Sequence, residues 1–247
     1  MLSLIARLLL LAGVALLAAG FYYDGERPAP GALSPSVLQD PLQTPTALPA
    51  FAAQAGGVDY EITPVAEYDI SGLIVSWHDS ETWWDREHEQ SRDYLNVADL
   101  CMVWGANAAD GAYEVMSFSN GQWVCYISYT DVGKVGPAHV RAISNNHILT
   151  DNEDVARQIR GLKVGDQVRL RGQLASYSHH SGFDFQRGTS THRDDQGNGA
   201  CETLYVREVQ LLQAAPAWPS TLRWFGALLL LAGLIGWYRA PFGERQR

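Results

Sequence analysis

The sequence contains few basic residues for its length. Its 247 residues include 18 lysines and arginines against 27 aspartates and glutamates. The imbalance is greatest between Asp24 and Trp218, where 26 acidic residues face 13 basic ones. A field of that sign repels phosphate backbones, so nucleic acid is not expected as a partner, and cations or a basic protein surface are favoured.

Several familiar patterns are also missing. No repeat of 20–50 residues is present, no segment has the aspartate and glycine spacing of an EF-hand, and no known catalytic signature occurs. These absences argue against a repeat protein and a calcium sensor. They also make a binding or scaffold protein a better expectation than an enzyme.

Two long apolar runs stand at the ends of the chain. The first extends from Leu8 to Tyr23 and lengthens to a membrane-spanning helix when residues 2–7 are included. The second, Trp224 to Tyr238, is long enough to span a bilayer only when Leu222 and Arg223 are included. The long side chain of Arg223 can reach the lipid headgroups. The lipid bilayer is therefore an expected partner.

The orientation follows from the charges that flank the second run. Arg239, Arg245 and Arg247 place its far side in the cytoplasm by the positive-inside rule. Small residues at positions 18–20 also permit a cleavable signal peptide at the N-terminus, although an uncleaved anchor is favoured. Either alternative exports the middle of the chain, and the favoured one places both termini in the cytoplasm and the central domain in the periplasm.

Four regions are expected along the chain. They are a transmembrane anchor at 1–23, an extended linker rich in proline and alanine at 24–59, a β domain at 60–213, and a transmembrane helix with a short basic tail at 214–247.

The β domain is expected to hold five strand regions and one helix. Alternating or β-branched residues indicate the strands, an Asn-Gly step indicates a hairpin turn, and apolar residues spaced by three and four indicate the helix. The expected elements are strands at Tyr68–Trp77 and Leu95–Trp104, a hairpin of 113–118 and 122–129 around Asn120-Gly121, a helix at 150–162, and strands from Val168 and at Glu202–Leu212.

This order is typical of an OB-fold, a small partly open barrel with one helix between its third and fourth strands. The segment Lys163–Leu174, KVGDQVRLRGQL, resembles the turn and fourth strand of many bacterial OB-like domains. The whole arrangement is similar to uncharacterised proteobacterial inner-membrane proteins with one exported domain between two spans. This resemblance implies a fold and a location, and no activity.

The three cysteines lie in the exported part, where disulfides persist. Spacing alone does not fix their pairing. Because Cys101 and Cys125 fall in successive strand-like segments, we expect them to form a disulfide, which leaves Cys201 free.

Cys201 and His147 are candidate catalytic residues. A Cys201 thiolate activated by His147, with Asn145 or Asn146 orienting the imidazole ring, would make an envelope hydrolase. The alternative is that Cys201, at the end of the segment that begins at Gly197, is a small buried residue and that the SNNH segment is a loop of turn-forming residues.

The histidines offer nitrogen ligands, but no metal site or other cofactor is expected. His179, His180 and His192 share a long loop with aspartates, and adjacent histidines seldom serve one closed site. His78, with nearby Asp79, Glu81 and Asp85, is interpreted as part of a solvated polar loop.

Aromatic and arginine side chains are the candidate binding residues. Exposed tryptophans on a barrel face can stack on sugars or contact a protein, whereas packing in the core is the alternative. Two arginines can bind a carboxylate or phosphate, or can be tied down by ion pairs within their own loop. The candidates are Trp77, Trp83, Trp84, Trp123, Arg187 and Arg193.

The sequence thus favours a membrane-tethered periplasmic scaffold that contacts another envelope protein. An envelope hydrolase using the Cys201–His147 pair is the first alternative, and a glycan-binding module is the second.

Overall fold

The computed structural model describes residues 2–195 and 201–241. Within them the chain divides into two compact units, one formed by the terminal segments and the other by Arg27–Ala215. The molecule is mainly β, with a large mixed sheet and an apolar helix at each end. Its helices are α1 (Leu2–Tyr22), α2 (Glu87–Ser91), α3 (Gly105–Ala109), α4 (Pro137–Arg141), α5 (Glu153–Arg160) and α6 (Trp218–Arg239).

Ten strands in the described part of the chain make up two sheets. They are β1 (Leu42–Pro45), β2 (Phe51–Ala55), β3 (Val58–Asp79), β4 (Asn96–Val103), β5 (Met116–Gly121), β6 (Val124–Tyr129), β7 (Ile143–Leu149), β8 (Gln167–His179), β9 (Phe185–Arg187) and β10 (Glu202–Gln213).

Helices α1 and α6 are long and apolar enough to cross a membrane, as the sequence predicts. Each has more than 20 residues, which corresponds to about 30 Å of helix, the thickness of a bilayer core. Together they are consistent with a two-span membrane protein.

Small residues allow the two helices to pack closely in antiparallel directions. A Cβ atom added at Gly226 would lie 2.8 Å from the backbone nitrogen of Leu17 and 2.9 Å from the carbonyl oxygen of Gly13. Gly20 approaches the carbonyl oxygen of Pro219 in the same way, and Gly233 approaches that of Ala6. The pair therefore depends on backbone-to-backbone contact, which is the usual packing of helices in lipid.

In the main sheet the strand order is β1-β3-β4-β7-β10-β8-β9, with β2 also paired to β3. The long strand β3 pairs with β4 through residues 73–79 and with β8 through residues 61–73. Strands β7 and β10 are parallel, and the other pairs are antiparallel. A second, two-stranded sheet is formed by β5 and β6.

The core lies inside the main sheet and under α5. Ile70, Leu100, Ile148, Leu170 and Leu204, each from a different strand, are fully buried in one cluster. Helix α5 adds Val155 and Ile159, the apolar residues whose spacing predicts this helix. The side chain of Asn152 caps it by accepting from the backbone nitrogens of Asp154 and Val155.

Part of the expected linker is folded onto the domain. Strands β1 and β2 pair with β3, and Val37 is completely buried in a second apolar cluster. Strand β3 begins at Val58, ten residues before the expected start, because buried and more exposed side chains alternate from Val58 to Ile70. Residues 24–59 are therefore not a simple tether.

The hairpin is present, but its turn is displaced. Asn120 and Gly121 belong to β5, and Gln122 and Trp123 form the two-residue loop, with Trp123 at a φ of 63°. Trp123 thus occupies a left-handed backbone conformation that glycine and asparagine usually adopt.

Candidate functional site

A buried histidine–aspartate pair lies between neighbouring strands of the main sheet. His147 in β7 faces Asp99 in β4, and the two residues are direct partners in the antiparallel register. Nδ1 of His147 lies 2.6 Å from Oδ1 of Asp99, and both side chains are at most 1% exposed. His147 is therefore in a strand and not in the expected loop.

The pair favours its charged form. Burial alone would lower the pKa of His147, but the Asp99 carboxylate outweighs burial and raises the pKa of His147 to about 9. Burial would likewise raise the pKa of Asp99, but His147 outweighs it and lowers the pKa of Asp99 to about 2. Near neutral pH the two groups therefore form an imidazolium–carboxylate pair.

Arg187 from β9 approaches the other side of the imidazole ring. One of its terminal nitrogens lies 2.7 Å from Nε2 of His147, and its guanidinium stacks 4.4 Å from the Trp123 ring centre. Such a bond requires an unprotonated Nε2, which opposes the effect of Asp99. The effect of Asp99 is the larger one, because the pKa of His147 is raised in spite of the opposing charge of Arg187.

Cys201 is the third side chain near His147. It lies just before β10, is half-buried, is not in a disulfide, and contributes to the raised pKa of His147. The buried Asp99–His147 pair thus lies beside a partly accessible thiol. The sequence places Cys201 beside His147 but proposes Asn145 or Asn146 as the group that orients the ring, whereas Asp99 makes that contact.

Asn146 and Asn145 have other partners. The Asn146 amide donates to the Leu100 carbonyl and to the Ser144 hydroxyl, at 3.3 and 3.0 Å. Asn145 donates to the carbonyl of Trp123 and accepts from Asn120. These bonds join β7 to β4 and to the hairpin.

A second polar cluster adjoins this site. Oδ2 of Asp85 lies 2.6 Å from Nε2 of His78 and 2.6 Å from Nδ1 of His88, and all three side chains are buried. Nδ2 of Asn96 lies 2.9 Å from Nε2 of His88 and 3.0 Å from Oδ1 of Asp99. Asn96 therefore links the two clusters. The sequence suggests a solvated polar loop here; His78 and Asp85 are in fact buried, whereas Glu81 and Trp83 between them are exposed.

The candidate tryptophans do not form one platform. Trp77 packs against the core, whereas Trp83 is 90% exposed. Trp84 and Trp123 flank the second cluster, with ring centres 4.7 Å from His78 and 5.2 Å from His88 respectively.

The two candidate arginines also have separate roles. Arg187 contacts His147, whereas Arg193 forms an ion pair with Glu202, donates to the Tyr68 hydroxyl and stacks on Trp104. An ion pair thus holds Arg193, but the partner lies in β10 and not in the arginine's own loop, as the sequence suggests it would.

The loop histidines are not gathered into a site within the described residues. His179 is buried. Its Nε2 lies 2.8 Å from the Ser91 carbonyl oxygen, and its ring stacks on Phe185. His180 is exposed and contacts Asp184. Positions 197–200 of the segment before Cys201, and Arg245 and Arg247 of the tail, lie outside the described residues.

The disulfide between Cys101 and Cys125 is present, as the sequence predicts. Cys101 is buried in β4 and Cys125 lies in β6, so the bridge fastens the hairpin to the main sheet. The hairpin turn in turn places Trp123 between Arg187 and His88.

The charged pair predicts how stability depends on pH. His147 has a folded pKa above its usual 6.5, so its contribution is complete below about 6.5 and is lost as the pH rises through about 9. Asp99 has a lowered pKa, so its contribution is complete above about 3.8 and is lost as the pH falls through about 2. We expect the free energy of unfolding, measured by chemical denaturation, to fall between pH 6.5 and 9. The decline should flatten in His147→Gln, and an equal decline in both proteins would contradict this assignment.

Comparison of the chain with known protein families, curated proteins and solved structures finds no match.

Proposed function

We propose that the protein is held in a bacterial inner membrane by α1 and α6, with both termini in the cytoplasm and the β domain in the periplasm. The antiparallel packing of the two helices supports termini on one side. The basic residues after the second span favour the cytoplasm for that side. The disulfide fits an oxidising compartment for the domain.

The β domain is, in this proposal, an OB-like barrel of the kind found in the proteobacterial membrane proteins that the sequence resembles. Support comes from the pairing order β3-β4-β7-β10-β8, which returns to β3, and from α5 between the third and fourth of these strands in the chain. The parallel pair of β7 and β10 brings His147 opposite Thr203, two residues after Cys201.

The function that the geometry favours is hydrolysis by a thiol nucleophile. The carrying observation is the buried Asp99–His147 pair beside the free thiol of Cys201, a carboxylate, an imidazole and a nucleophile of the types used in acyl transfer. The thiol is half-buried and so partly accessible, while the base beside it is shielded from water.

The proposed reaction has two steps. The Cys201 thiolate attacks the carbonyl carbon of an ester or amide, and the His147 imidazolium gives its proton to the leaving alcohol or amine as a thioester forms. Water then attacks the thioester and gives its proton to His147, which releases the acid and restores the thiolate. Arg187, beside Nε2, supplies positive charge close to the developing oxyanion.

A model acyl ester tests this reaction. The full-length protein in lipid nanodiscs is incubated with p-nitrophenyl acetate, and acetylation is mapped by mass spectrometry. We expect acetylation of Cys201, no adduct in Cys201→Ala, and deacetylation slower by about 100-fold or more in His147→Gln. Hydrolysis that persists unchanged in Cys201→Ala would overturn the proposal.

Binding of an envelope protein is the second candidate function, because the β5–β6 hairpin is unusually apolar for a surface element. Val124, Tyr126, Ile127 and Tyr129 are each about 40–60% exposed. A photo-crosslinker at Tyr126, compared with one at the charged position Glu153, tests it in intact membranes. Capture of one defined partner only from Tyr126 supports this function, and equal capture from both positions counts against it.

Glycan binding has less support. Of the candidate tryptophans only Trp83 is largely exposed, whereas Trp84 packs on His78 and Trp123 on Arg187.

A further inference from the structure

The cluster of His78, Asp85 and His88 brings together side chains from a strand, a loop and a helix. His78 is near the end of the long strand β3, Asp85 lies in the following loop, and His88 belongs to α2. The three residues are 4%, 4% and 2% exposed. Buried polar groups gathered in this way need a compensating interaction, because removing them from water is costly.

The ligand atoms of the cluster converge on one point. Nε2 of His78, Oδ2 of Asp85 and Nδ1 of His88 all lie within 4.8 Å of one another. A tetrahedral zinc ion with bonds of about 2.0–2.1 Å separates its ligands by about 3.3 Å. The present 2.6 Å contacts between each nitrogen and the shared oxygen would therefore open by less than about 1 Å to admit an ion.

The charge of the cluster also favours a cation. The Asp85 carboxylate is completely buried, and within the described residues no lysine or arginine forms an ion pair with it. Its ring partners are the two imidazoles of His78 and His88. A divalent ion would balance the negative charge of the carboxylate and use both imidazoles as ligands.

The surroundings exclude water and orient the ligands. The rings of Trp84 and Trp123 pack against His78 and His88. Asn96 contacts the outer nitrogen of His88, and its Oδ1 is buried without a hydrogen-bond partner. If its amide turned, Oδ1 would accept from the proton that a metal-bound His88 carries on Nε2, at the expense of the bond to Asp99. Such outer contacts are usual around metal-binding histidines.

We propose that His78, Asp85 and His88 bind a divalent first-row transition metal, for which zinc is the best match. Two imidazole nitrogens and one carboxylate oxygen suit zinc better than calcium or magnesium, which prefer six or more oxygens. The fourth position is left for water or another oxygen. The ion fastens the loop between β3 and β4, together with Trp84, against the main sheet.

The metal content of the intact protein tests this site. Full-length protein, purified with an affinity tag that lacks histidine, is dialysed against chelator and then supplied with zinc. Elemental analysis is expected to give about one zinc ion per chain for the wild type. Asp85→Asn and His88→Gln should bind zinc at least about 100-fold more weakly.

His180→Gln is the matched control, because His180 and Asp184 form a histidine–aspartate contact at the surface, 2.7 Å apart. It should retain the full zinc content. Equal zinc loss in all three variants, or no zinc in the wild type, would overturn the proposal.

Cobalt binding to the wild type keeps the test independent of how the variants fold. Titration with Co²⁺ is expected to give the intense visible absorption of a tetrahedral site with nitrogen and oxygen ligands, saturating at one ion per chain. A weak octahedral spectrum that does not saturate would contradict a built site.

Discussion

Replacing Asp99 by alanine is expected to lower the free energy of unfolding of the full-length protein by about 3–5 kcal/mol. Asp99 is the only carboxylate within hydrogen-bond distance of the buried His147 among the described residues, and Arg187 adds a second positive charge beside the ring. Without Asp99, burial lowers the pKa of His147 and the site loses its imidazolium. Chemical denaturation followed by tryptophan fluorescence measures the change.

Asp69→Ala is the control for this variant. Asp69 also pairs with a cation, Arg169, through two hydrogen bonds of 2.6 and 2.7 Å, but its side chain is 24% exposed. Exposed pairs contribute about 1 kcal/mol or less. An equal loss of stability in the two variants would show that the Asp99–His147 pair has no special energetic role.

Removal of the disulfide in the double variant Cys101→Ser/Cys125→Ser should destabilise the domain by about 3 kcal/mol. The bridge closes a loop of 24 residues, and a chain-entropy estimate for that length gives this magnitude. The β5–β6 hairpin should be affected most, because the bridge attaches it to β4. Hydrogen exchange of the hairpin amides in the full-length protein should become faster by at least about tenfold.

The single variant Cys201→Ser provides the comparison, since Cys201 is not bridged. Its hairpin amides should exchange at the wild-type rate. Hairpin exchange that is unchanged in the double variant would mean that side-chain packing, and not the bridge, holds the hairpin.

The features that the sequence predicts well are those written in local patterns. Alternation from Val168 onward predicts a strand with one polar face, and Arg169 and Arg171 indeed lie outward beside Asp69. The disulfide is predicted because two neighbouring strand patterns each contain one cysteine. The apolar ends are predicted because hydropathy alone defines a span.

The start of the domain is harder to predict because opposing signals overlap. Pro64 suggests an interruption, but it lies at an irregularity in the pairing of β3 with β8, where a missing backbone donor is tolerated. The alternation of Val58, Tyr60 and Ile62 continues across it. Proline and alanine in the preceding segment suggest a linker, although β1 and β2 form strands there.

The site itself depends on pairings between distant parts of the chain. Asp99 is a single acidic residue in an apolar strand pattern, and only the register of β4 with β7 brings it to His147. Three polar residues before His147 suggest a loop, yet each forms specific hydrogen bonds in β7 or to it. His78, Asp85 and His88 have no established ligand spacing, because they meet only when α2 folds back on the end of β3.

The pH dependence of Cys201 alkylation tests the central claim most directly. Because Cys101 and Cys125 are bridged, Cys201 is the one free thiol of the chain, so iodoacetamide reports on it alone. We predict that at about pH 6.5 the wild type reacts at least about tenfold faster than His147→Gln, since the proposed chemistry requires His147 to activate the sulfur of Cys201. Identical rates across the pH range would show that His147 does not activate Cys201 and would contradict the proposed thiol chemistry.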